Sequence, residues 1–164
     1  FFTADGFRIS LRHDDVPADR REIADLFFSF EGSDPGVALV PAAPTDQVRN
    51  YFVGPRDTWT SGVGSFHELV YRGLYPGVDL HCHAGAGGHL EYDLRLAAGV
   101  DPAVIVLRCE GAQHIEQGTD DSLTFDTGIG TLRHLLPASW TIPADGTRRP
   151  CDVRLVRLDD QRFS

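Results

Sequence analysis

Two short runs of alternating apolar and polar residues, Val78 to His83 and His89 to Leu96, flank the stretch Ala84-Gly85-Ala86-Gly87-Gly88. A period of two sends successive side chains to opposite faces of a strand, and a glycine-rich break reverses the chain, so an antiparallel hairpin is predicted here. The preceding Tyr75-Pro76-Gly77 is a tight-turn signal. Proline presets φ at one turn position and glycine tolerates the positive φ of the next. A regular loop over residues 84–88 sets His83 opposite His89, His81 opposite Glu91 and Asp79 opposite Asp93. These six side chains share one face, while Val78, Leu80, Cys82, Leu90, Tyr92 and Leu94 share the other. One face suits a core and the other suits water or chemistry.

Similar patterning recurs along the chain, with little helical periodicity. Phe7, Ile9 and Leu11 alternate with Arg8, Ser10 and Arg12, the pattern of a half-buried strand. The charged residues 14–21 read as an exposed connection, residues 23–30 as containing a strand, and residues 31–36 (EGSDPG) as a turn. Residues 61–64 (SGVG) read as a further turn, residues 66–71 and 104–109 as strands, and residues 126–130 as a hairpin loop. Residues 140–142 and 153–158 supply the last strands. Many short strands separated by glycine or proline predict an all-β fold, an antiparallel β-sandwich or open barrel. The chain is read as a single β-rich module over residues 1–164, with residues 41–46 (PAAPTD) the best candidate for an internal boundary. An echo between residues 28–33 (FSFEGS) and 107–112 (LRCEGA) is the pattern that two related half-domains would leave.

Composition limits the partners. A net charge of −9 argues against a sequence-independent grip on nucleic acid or an anionic membrane, both of which need a basic footprint. The apolar runs are too short for a transmembrane helix, so no membrane insertion is expected. All 15 basic residues are arginine and methionine is absent, a coding bias before it is a functional signal. No signal peptide is visible and the first residue is Phe1, the opening expected of a processed chain or a piece of a longer one. Cys82, Cys109 and Cys151 are too few for a disulfide framework. Burial as free thiols is the expected state, with a Cys82 to Cys109 bridge as the alternative.

The sharpest chemical candidate is a metal site on the polar hairpin face. His81 and His83 point the same way, His89 and Glu91 lie across from them, and imidazoles with a carboxylate suit Zn²⁺. Asp79 and Asp93 offer oxygen ligands for Ca²⁺, or paired carboxylates for acid-base work. The competing reading is a solvated strand face whose histidines satisfy hydrogen bonds. No nucleophile elbow, phosphate-binding loop or His-Glu-x-x-His motif occurs, so no catalytic residue and no obligate cofactor is predicted. Tyr51, Phe52, Trp59, Tyr71 and Tyr75 are candidates for a carbohydrate- or peptide-binding patch, and core packing is the competing role for most of them.

Several motifs in combination carry a family resemblance: Asn50-Tyr51-Phe52-Val53-Gly54 followed by Trp59, residues 71–80 (YRGLYPGVDL), Leu90-Glu91-Tyr92-Asp93, Gly99-Val100-Asp101-Pro102 and Glu110-Gly111-Ala112. The chain resembles, over nearly its whole length, an uncharacterised β-rich module. That module is found near the N-terminus of large secreted or surface-anchored bacterial proteins, commonly ahead of β-propeller-type repeats of the SBBP kind. The resemblance implies an extracellular or cell-surface setting, a β architecture and no catalytic residues to carry over. His81-Cys82-His83 departs from the aliphatic or tyrosine residues usual after the Asp-Leu pair. Two functional classes follow: a non-enzymatic structural or binding module that meets protein partners or other copies, or a metal-binding protein or metal-dependent hydrolase centred on His81, His83, His89 and Glu91.

Overall fold

The computed structural model describes residues 1–12, 22–136 and 138–164. Among the described residues fourteen strands follow in order: β1 (Phe2–Thr3), β2 (Gly6–Arg12), β3 (Ile23–Glu31), β4 (Ala38–Tyr51), β5 (Thr60–Tyr75), β6 (Val78–Ala84) and β7 (Leu90–Leu96). Then come β8 (Val106–Glu110), β9 (His114–Gln117), β10 (Leu123–Asp126), β11 (Thr131–His134), β12 (Ser139–Thr141), β13 (Arg149–Cys151) and β14 (Arg162–Phe163). Helix is confined, among the described residues, to single 3₁₀ turns at Arg56–Thr58 and Pro102–Val104. The expected all-β, antiparallel fold is the one observed, and among the described residues none of its sheets closes into a barrel.

The chain divides into two compact units, one of residues 1–2, 6–31 and 103–164, the other of residues 3–5 and 32–102. The first is built on the five-stranded sheet β1-β2-β3-β8-β14, with the smaller sheets β11-β10-β9 and β12-β13. Its core forms because alternate residues of β2 and β3 are aromatic or aliphatic: Phe7, Leu26, Phe28 and Phe30 are buried, with Phe125 from β10. Phe28 stacks on Phe7 at 5.1 Å and meets Phe125 edge-on at 5.1 Å. The two echo segments are neighbours in this unit, since β3 pairs with β8 through Phe28↔Cys109 and Phe30↔Leu107.

The second unit is the four-stranded sheet β4-β5-β6-β7. Val78, Leu80 and Cys82 are buried, as the alternation predicts, whereas Leu90 on the same face is exposed and His81 on the opposite face is buried. Burial without a partner for the charge pushes the Cys82 thiol up to about 12 and does the same for Cys109 in the first unit. All three cysteines are free, so the alternative bridge is not formed. The Tyr75 turn is as expected: Tyr75 pairs with Val78 across Pro76-Gly77, with φ +76 at Gly77.

Three local expectations are corrected. Residues 41–46 are part of β4 rather than a connector, because an edge strand tolerates proline, and the register shifts between Pro44 and Val48 absorb the irregularity. Residues 61–64 are not a turn but lie inside β5, where Gly62 takes φ +73 and its amide donates to the Asn50 Oδ1 at 2.9 Å. Residues 153–158 form one isolated bridge, Arg157↔Phe163, instead of a strand. There the Asp159 carboxylate accepts the amides of Gln161 and Arg162 and holds a turn in place of a longer ladder. The connection at residues 14–21 lies outside the described residues.

Candidate functional site

The polar hairpin face sits on β5, β6 and β7. The register is Val78↔Leu96 through Ala84↔Leu90, which pairs His81 with Asp93, His83 with Glu91 and Asp79 with Arg95. The loop is therefore residues 85–89, one residue later than the sequence suggested, closed by the Gly85 amide donating to the His89 carbonyl at 2.8 Å. Gly87 and Gly88 take φ of +93 and +81, conformations that the glycine pair reaches without strain. Moving the loop by one residue shifts the pairing by two, so the shared face survives while every opposing pair changes.

Each polar group on this face has its own neighbour. The His81 Nδ1–H donates to Glu68 Oε1 at 2.5 Å; His81 is buried, and the Glu68 side chain on β5 is 24% exposed. Arg95 Nη2 stands 3.9 Å from the same oxygen, and His83 Nε2 is 3.5 Å from Asp93 Oδ2. Asp79 accepts the Gly73 amide at 2.7 Å, holding the bulge in β5. The Glu91 carboxylate folds over Gly85, whose missing Cβ leaves the room, and the His89 ring lies against Gly87. Thus His81 turns to β5, His83 to β7, and Glu91 and His89 to the loop. Among the described residues no group of three or more His, Cys, Asp or Glu side chains is arranged to hold a metal ion. Glu68, which sequence reasoning missed, anchors the face. The sequence shows it only as a carboxylate on the strand leading into the hairpin, and its place beside His81 comes from the β5–β6 register.

The hydrogen bond from His81 holds the Glu68 carboxyl below the ordinary carboxylate value of 4.5, with the charges of His81, Arg95 and His83 adding to it and desolvation opposing. A carboxylate depressed in the folded state contributes stability that is complete above its unfolded value and is lost as pH falls through its lower folded value. Glu68→Gln is therefore expected to cost about 2 kcal/mol at pH 7, by weakening a charge-assisted bond to a buried partner. The loss relative to the parent should shrink below pH 4.5. Urea unfolding of both proteins at neutral and acid pH reads it, and a constant difference across that range would assign the cost to packing.

A second surface lies at the far end of the same sheet. β6 covers β5 only from Glu68↔His83 onward, while β4 and β5 continue as a two-stranded arm through Pro44↔Phe66, Val48↔Gly64, Arg49↔Val63 and Tyr51↔Thr60. At roughly 3.3 Å per residue the arm is about 20 Å long. Val48, Tyr51, Phe52, Val53, Trp59 and Phe66 are all exposed on it, Val53 at 78%. Its tip is ordered by its own contacts. Phe52 meets the Trp59 ring edge-on at 5.1 Å, Arg56 lies 5.6 Å from the Trp59 ring centre, and the Trp59 indole N–H donates to the Gly54 carbonyl. The Thr58 hydroxyl donates to the carbonyls of Val53 and Pro55. Tyr51, Phe52 and Trp59 from the sequence reading thus gather at this tip, whereas Tyr71 and Tyr75 are core residues.

A hydrogen-bonded polar sheet face beside an apolar-tipped arm, in a fold built of antiparallel strands, defines an all-β module of uncharacterised type. The chain belongs to the family described as a domain of unknown function (DUF7948), which matches residues 1–164. No curated protein and no solved structure matches the chain.

Proposed function

We propose that this chain is a non-enzymatic interaction module of a secreted or surface-anchored bacterial protein, and that the β4–β5 arm is its contact element. The observation that carries the reading is the exposed but internally braced tip of Tyr51, Phe52, Val53 and Trp59. A two-stranded ribbon is marginal in water by itself, and apolar patches of this kind mark interaction sites. The setting is supported by the sequence resemblance to modules that precede β-propeller-type repeats. A protein partner is favoured over a carbohydrate, because sugars stack on open ring faces and the Trp59 ring is engaged by Phe52 and Arg56.

Photo-crosslinking amino acids placed at Val53, on the arm, and at Glu91, on the hairpin face, test this in the producing cell. Crosslinks to protein are expected from position 53, and Phe52→Ala with Trp59→Ala should reduce their yield at least about tenfold, as for loss of a pair of aromatic anchors. Crosslinks confined to position 91, or none at either site, would remove the arm from this role.

A further inference from the structure

We draw no further inference here: the strongest candidate, the edge of β5 over residues 60–66 that faces no other strand among the described residues, is interrupted by Gly62 at φ +73, and nothing in the structure shows what covers it.

Discussion

Gly111→Ala is expected to destabilise the chain by about 4 kcal/mol or more, enough to consume much of the stability of a domain this size. Gly111 follows β8 with φ +95, a conformation that costs an alanine about 1–2 kcal/mol. The larger part is steric. A Cβ at this position would lie 2.1 Å from the Asp25 carbonyl oxygen and 3.2 Å from its carbon, and both are backbone. That backbone has nowhere to go, since β3 is held between β2 and β8 and Leu26 beside it is fully buried. Gly146→Ala provides the comparison within the same unit: φ is +75, but nothing lies within 4 Å of the added methyl, so only the conformational cost of about 1 kcal/mol remains. Urea unfolding of the two variants separates the terms. Equal losses would show that close approach of β8 to β3 is not what requires glycine at 111.

Phe28→Ala is expected to cost about 4 kcal/mol and to lower the melting temperature by roughly 10 °C. The ring is 2% exposed, lies nearly parallel to Phe7 and presents itself edge-on to Phe125, so its removal loses buried area, two aromatic contacts and the filling of the space between them. Phe28→Leu keeps most of the volume and should lose about half as much. A double-mutant cycle with Phe125→Ala reads the contact itself, with an expected coupling of about 1 kcal/mol. A loss below about 1.5 kcal/mol for Phe28→Ala would mean that neighbouring side chains collapse into the site, which the two fixed ring contacts argue against.

The alternating strands were legible because one face of each is buried. Phe28, Phe30 and Leu26 follow the period-two rule, and their burial leaves little freedom in which face they present. The hairpin pairing was less legible. Five small residues followed by a histidine accept a loop at 84–88 or at 85–89 with equal local propensity, and the choice rests on a backbone bond from Gly85 to His89 that side-chain patterns do not encode. That one-residue ambiguity decided whether His83 met His89 or Glu91. Glu68 was missed for a related reason: its role depends on β5 lying beside β6, a pairing visible only once the bulge near Gly73 sets the register. The arm's tip aromatics Tyr51, Phe52 and Trp59 were legible as a candidate patch, but the strands that carry them were not. Their glycines and prolines read as punctuation because they usually are, yet at a sheet edge the same residues permit bulges and exposed strand. Local sequence distinguishes a turn from an edge poorly, since both lack a neighbour that would demand regularity.

The two edges of the arm bear on how far association can run. A ribbon open and regular on both sides is bivalent, and bivalent strands stack without limit into fibrils. Here proline and a left-handed Ala43 interrupt β4, and a left-handed Gly62 interrupts distal β5, so neither side offers a long regular edge. A protein that displays an apolar, sticky-tipped ribbon is thereby kept from polymerising through it.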